Sequence, residues 1–242
     1  MYKRQLLDAL NTFIHWVEQL PYASIDGIWL YQLEVLGLYL SGGLVFYYFA
    51  NRGLKNLLIC LFSILLLGVY HVSMSWVDRP LDSIVFYNVR GCPAVHCIDN
   101  NGNSRIVYGD SLSDKRQLYR VATNYWNHHQ LLSPLEVTAD YQDTALCCRE
   151  QILSYHGRRI CMVTDHRWRN KSAATPLYID YLYLCKGYNG HLKELRLLFA
   201  PECIILDASL SEHRKQLFEE ECKQSGLRFI SLSEKGSVRF LL

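Results

Sequence analysis

The sequence predicts an α+β protein held at a membrane by two N-terminal helices, and three observations carry that prediction. Two uncharged apolar runs of spanning length stand close together before residue 77. Charge is distributed very unevenly about that point, and strand-like and helix-like segments alternate from there to Leu242. Residues up to Trp76 carry only Lys3, Arg4, Arg52 and Lys55 with Asp8, Glu18, Asp26 and Glu34; the other 21 of 25 basic and 19 of 23 acidic residues follow. A chain that meets lipid in one part and water in another has this asymmetry. The expected division is 1–27, an amphipathic helix and link; 28–76, a two-helix transmembrane hairpin; and 77–242, a mixed domain. Half of the 242 residues are hydrophobic, enough for one good core, and the formal charge of +2 neither demands nor excludes nucleic acid.

The first element is amphipathic. Leu6, Leu7, Leu10, Phe13, Ile14 and Val17 recur at helical spacing, with Asp8, Asn11, His15 and Glu18 opposite. Its charges exclude a secretory signal peptide, so it reads as a helix lying on a bilayer or on partner helices. Pro21 ends it, and Ser24 to Gly27 link it to the first span. That span, Ile28 to Ala50, has aromatics near both ends; the second, Leu54 to Trp76, follows the turn Asn51-Arg52-Gly53. Arg52 and Lys55 favour the cytoplasmic side for this turn, which puts the large domain outside the cytoplasm. Glu34 is expected to reach the headgroups, and Gly42-Gly43 to mark close helix packing.

Beyond the spans, strands are expected at Asp82–Val89, Ala94–Ile98 and Arg105–Tyr108, with a hairpin turn over Asp99 to Asn103. Ser111 to Asp114 open a helix running to about Gln130. A variable stretch precedes strands at Gln151–Tyr155, Arg159–Thr164 and Leu177–Cys185. A short helix at His191–Phe199, a strand at Cys203–Leu206, a helix at Ser211–Ser225 and strands at Leu227–Ser231 and Ser237–Leu242 close the chain. The nine cysteines include no C-x-x-C pair, which argues against a zinc ribbon or thioredoxin-like site. Their odd number argues against a full disulfide framework, and a bridge between Cys92 and Cys97 stays open.

This order resembles the metallo-β-lactamase-like C-terminal domain of ComEC-type competence proteins, polytopic membrane proteins that pass single-stranded DNA into a transformable bacterium. The family's opening strand ends in V-G-Q-G-D, a place taken here by Phe86-Tyr87-Asn88-Val89-Arg90-Gly91-Cys92. Its L-I-D-x-G is approximated by Ile106-Val107-Tyr108-Gly109-Asp110, and its L-L-T-G-D by Cys161-Met162-Val163-Thr164-Asp165. Its D-x-L-x-x-x-H-H-G-S is similar to the stretch from Asp180 to Gly190, and its closing segment to Lys215–Leu242. The resemblance implies an αββα-type domain, a place in the inner (plasma) membrane as a multi-pass protein, and other membrane helices of a longer or split competence protein as partners. It also makes the chain look like the C-terminal piece of such a protein.

The departures bear on mechanism. The family's metal-dependent members carry H-x-H-x-D-H, because two metal ions need several imidazoles and a carboxylate converging on one point. Nothing here matches it. His128 and His129 are adjacent on a helix and diverge, and Lys186, Gly187 and Tyr188 stand in place of H-H-G-S. The expectation is a domain with no catalytic residues, no metal and no cofactor, which supports import of single-stranded DNA. Candidate contacts are Arg158, Arg159, Arg167, Trp168, Arg169 and Lys171, where positive charge is interleaved with a ring able to stack on a base. A membrane-anchored interaction module unrelated to DNA is one alternative. A phosphodiester hydrolase rebuilt around Asp110, Asp165 and Asp180 is another.

Overall fold

The computed structural model describes residues 2–18, 29–109, 114–137 and 140–242, and it divides the chain into two units, Met1–Trp76 and Val77–Leu242. The expected link 24–27, the end of the first span at Ile28, the helix start at Ser111 and the candidate carboxylate Asp110 lie outside the described residues.

The first unit is helical. α1 spans Tyr2–Glu18, and Leu7, Leu10, Phe13 and Ile14 of its apolar stripe are exposed. α2 spans Gln32–Ala50 and α3 spans Leu54–Val77. At 1.5 Å per residue they measure about 28 and 36 Å, against about 30 Å of bilayer hydrocarbon. Their large apolar side chains, among them Leu36, Leu40, Phe46, Leu58, Leu65 and Val69, are turned outward. A core helix of a soluble protein would bury such residues, so these faces are suited to lipid. Close approach of the two helices falls at Gly37, where a methyl group would collide with the Leu67 side chain. Gly42 and Gly43 have nothing nearby for a side chain to meet, so they do not mark the packing expected of them.

Glu34 also departs from expectation. It is 4% exposed and turned inward. One carboxylate oxygen accepts the Tyr31 backbone N–H at 2.9 Å, and the other meets His71 Nδ1 of α3 at 2.7 Å. The first contact caps the N-terminus of α2. The second joins the two helices.

The second unit holds twelve strands in two sheets among its described residues. The first sheet comprises β1 (Ser83–Phe86), β2 (Ala94–Ile98), β3 (Ser104–Tyr108), β4 (Leu135–Val137) and β12 (Val238–Leu241), in the order β12-β1-β2-β3-β4. Strand β12 returns beside β1, so both ends of this unit meet in one sheet. α4 (Lys115–His128) carries the chain from β3 to the parallel β4. The second sheet runs β11-β10-β9-β8-β7-β6-β5, from β5 (Tyr141–Gln142), β6 (Leu146–Arg149), β7 (Ile152–Tyr155), β8 (Arg158–Val163), β9 (Leu177–Leu184), β10 (Phe199–Leu206) and β11 (Arg228–Ser231). β5 to β8 are antiparallel; β8 to β11 are parallel, with α5 (Leu192–Arg196) and α6 (Glu212–Ser225) as crossovers after β9 and β10. A single turn, α7 (Leu232–Lys235), precedes β12.

Three cores stack these elements into four layers, α-β-β-α. Between the sheets lie Ile84, Phe86, Val95, Cys97 and Val107 of one, facing Leu153, Tyr155, Ile160, Met162, Tyr183 and Ile205 of the other. Alternate residues of the first sheet, Val85, Tyr87, Ile98 and Ile106, pack under Leu118, Ala122 and Trp126 of α4. Those of the second, Cys161, Val163, Leu184, Ile204 and Leu206, pack under Leu192, Leu195, Phe218 and Cys222 of α5 and α6. Strands covered on both faces need near-continuous apolar runs, which is why Cys-Ile-Ile-Leu and Arg-Ile-Cys-Met-Val read so plainly. The same alternation settles the bridge left open between Cys92 and Cys97. The two thiols enter cores on opposite faces of the sheet and are not bridged.

Under α4 lies a buried polar chain. The Trp126 indole N–H donates to the Tyr87 hydroxyl at 2.9 Å, which stands 2.6 Å from His96 Nδ1. Burial lowers the His96 pKa to about 3, so the ring is neutral. The other ring nitrogen, Nε2, has no hydrogen-bond partner among the described residues.

Candidate nucleic-acid interface

The candidate cations lie on and beside β8. Arg158 and Arg159 open this strand after the turn at His156 and Gly157, both in the left-handed region at φ 46° and 79°. Arg158 donates to Asp180 on β9 at 2.7 Å, and the Arg159 backbone N–H donates to the other oxygen of the same carboxylate at 2.8 Å. Asp180 is therefore a buried partner that fixes the start of β8. The hydrogen bond and charge of Asp180 raise the Arg158 pKa further. Arg159 alternates with the inward-facing Ile160 and so points to the outer face. A cavity of about 440 Å³ lies around this turn, with His156, Arg158, Arg159 and Tyr178 in its walls.

Arg167, Trp168, Arg169 and Lys171 lie in the loop between β8 and β9. Asp165 accepts from the Arg167 backbone N–H and from its Nε, each at 3.0 Å, and pairs with Nη2 at 2.8 Å. Partial burial acts to raise the Asp165 pKa, but these bonds and the Arg167 charge outweigh it and leave the pKa lowered. Trp168 belongs to the core under α5 and α6, meeting Phe199 edge to face at a centroid distance of 5.2 Å, with the Lys171 ammonium 5.4 Å from its ring centroid. The ring packs this loop against the sheet. Phe199 pairs with Leu177, which shares a cavity with Arg159, so Trp168 and Arg159 lie on the same outer face. Among the described residues, Arg159, Arg169 and Lys171 have no carboxylate within ion-pair distance.

Two glycines lie close to Thr164 at the end of β8. Gly187, at φ 117°, lies so close to the Thr164 carbonyl that any side chain would strike it, and Gly109 crowds the Thr164 methyl. Asp207, buried beyond β10, accepts from the Tyr183 hydroxyl, and desolvation raises its pKa. Asp180 sits at the start of the six-residue β8 and Asp165 beyond its end. At about 3.3 Å per residue the two are roughly 20 Å apart, too far to share an ion. Among the described residues no three His, Cys, Asp or Glu side chains come together as a metal-holding group; Asp110 lies outside them. The His128 and His129 rings lie at 85° to one another, and His128 faces Asp78 at 3.9 Å.

Sequence reasoning named the cations as candidates and did not place His156 and Tyr178 beside Arg158 and Arg159. The turn Tyr-His-Gly-Arg-Arg was the available signal, and Tyr178 is brought in only by the parallel pairing of β8 with β9.

The fold defines a four-layered αββα domain preceded in the chain by two helices apolar enough to cross a membrane. The chain belongs to the ComEC C-terminal domain family, which matches residues 84–242. Membership ties it to competence and DNA uptake and, with the two apolar helices, to the membrane. No curated protein and no solved structure matches the chain.

Proposed function

We propose that this protein is the C-terminal portion of a DNA-uptake channel, and that its αββα domain is a non-catalytic support for incoming single-stranded DNA. The observation that carries this reading is the loop after β8: Trp168 anchors it to the sheet, leaving Arg169 and Lys171 exposed on the face that also bears Arg159. Cations held in place by an apolar anchor suit a phosphate backbone followed without regard to sequence. Arg158 and Arg167 bind less freely, being tied to Asp180 and Asp165. The domain stands outside the cytoplasm, the protein crosses the plasma membrane more than once, and further membrane helices complete the channel, since two helices cannot enclose one.

The test is salt-dependent binding of a fluorescent oligothymidylate to the full chain in lipid nanodiscs. Replacing Arg169 and Lys171 with Gln should flatten the log–log salt dependence by about 1.4, at about 0.7 per phosphate released. Trp168→Ala should instead lower the unfolding midpoint and leave binding by the folded fraction unchanged. The oligonucleotide should be recovered uncut after incubation with manganese. Absence of binding at low salt, or cleavage, would overturn the proposal.

A further inference from the structure

The outer face of the second sheet is only half covered. α5 and α6 lie over its parallel strands and reach Ile152 of β7, whereas among the described residues no helix packs on β6. In β6 the inward Leu146 and Cys148 are buried while Cys147 and Arg149 are exposed; in β7, Ile152 and Ser154 are partly exposed on the same outward side. Pairing sets these side chains in rows. Cys147, Ser154 and Arg159 stand in register across β6, β7 and β8, and Arg149, Ile152 and Cys161 form the next row. The result is a trough of about 290 Å³ walled by Arg149, Ile152, Ser154, Arg159 and Leu177. Arg159 also walls the cavity at the β7–β8 turn, where Tyr178 is 52% exposed and its hydroxyl donates to Glu202. Arg159 is the residue that the two cavities share, with Arg149 on one side of it and His156 and Tyr178 at the turn on the other.

Charge decides its occupant. Among the described residues, neither Arg149 nor Arg159 has a carboxylate within ion-pair distance. Glu150 also lines the trough, so its wall carries two guanidinium groups and one carboxylate. Arg149 and Arg159 are two residues apart along the strands and two strands apart across them. Their Cα atoms are on the order of 12 Å apart, so one extended strand can set two of its phosphates on them at once.

We propose that this trough is a track for single-stranded DNA that crosses the outer sheet face. Arg149 and Arg159 hold phosphates, the Ser154 hydroxyl donates to a phosphate oxygen between them, and the Tyr178 ring offers a stacking surface where the strand rounds the β7–β8 turn. The inference rests on the reading that the domain supports incoming single strands. It goes further in leading the strand over β6 to β8, through a residue the loop alone would not involve.

The experiment uses the full chain in nanodiscs and the same fluorescent oligothymidylate. The double variant Arg149→Gln with Arg159→Gln should flatten the salt dependence by about 1.4. Arg149→Lys should restore most of the part owed to that position. Arg116→Gln with Arg120→Gln removes equal charge from exposed positions of α4 in the opposite outer layer, and should leave the dependence unchanged. A trough variant that binds as the unaltered chain does, while the Arg169 and Lys171 variant loses affinity, would overturn the track and leave the loop reading standing. Equal losses in the α4 variant would also overturn it, by reducing the effect to overall charge. No binding by the unaltered chain would overturn both.

Discussion

His96 shows how one residue sets a dependence for the whole domain. It is fully buried between the first sheet and α4, held by Tyr87 and T-shaped against Trp126. The environment that makes it a good filler makes it a poor cation, so its pKa falls to about 3 from an ordinary 6.5. Between those two values the unfolded chain binds a proton that the folded chain refuses. Stability contributed by this group is therefore complete above about pH 6.5 and is lost as pH falls, at up to about 1.4 kcal/mol per pH unit, until about pH 3. Urea unfolding between pH 7 and pH 4 should show this slope, and His96→Gln should flatten it even though that variant is less stable throughout. An identical slope in the variant would place the dependence elsewhere. The same attention to single side chains separates the candidate cations. Arg169 and Lys171 were legible as exposed charges from composition alone. The capture of Arg167 by Asp165, and of Arg158 by Asp180, needs a turn and a strand pairing that one-dimensional spacing does not display.

Among the elements, the helical hairpin carries the sharpest test. α2 and α3 present apolar surface nearly all round, so lipid gives them little reason to associate, and specific contacts must do it. Two are visible: the close approach at Gly37 and the Glu34–His71 pair near one end. Gly37→Leu would force two branched side chains into space that the Leu67 side chain already fills, whereas Gly42→Leu would meet nothing. Spin labels at Leu30→Cys and Ser75→Cys, in a chain lacking Cys147, should give a sharp distance distribution in the unaltered hairpin and with Gly42→Leu, and a broadened one with Gly37→Leu. Equal broadening by both glycine variants would contradict the packing described. That Gly37, and not the pair Gly42-Gly43, faces α3 could not be read from either run, because helices apolar on all sides have no stripe to reveal a contact face. The strands behave likewise. Those buried on both faces read as continuous apolar runs and were foreseen. β4, β5 and β6 were not, being two to four residues long, with Leu135, Glu136, Cys147 and Arg149 turned to solvent. Phe199, expected to end a helix, begins β10 because its place is set by pairing with Leu177. The basic trough was hidden for the same reason: its rows exist only once β6, β7 and β8 are laid side by side.

For the whole molecule the open physical question is which side of the membrane the domain occupies. On the proposed reading that both helices span, they return the chain to the side from which it entered, so the segment Asn51–Gly53 and the domain face opposite compartments. Arg52 and Lys55 favour the cytoplasm for the short turn, while Lys3, Arg4 and Arg79 pull the other way; the turn is the shorter and lies directly between the spans, where the charge rule acts most strongly. On the proposed reading, the domain would then meet DNA before it crosses the membrane. The protein carries its own reporter. Of the nine cysteines, Cys147 on β6 is the exposed one, while Cys60 lies within α3 and the others are buried. A membrane-impermeant maleimide added to intact cells should label the unaltered chain, and Cys147→Ser should abolish that labelling. In the Cys147→Ser background, Asn51→Cys should react only after the cells are permeabilised. The reverse pattern, with Asn51→Cys labelled from outside and Cys147 protected, would place the domain in the cytoplasm. The domain would then receive the strand after transit, and Lys3, Arg4 and Arg79 would have outweighed the turn in setting orientation.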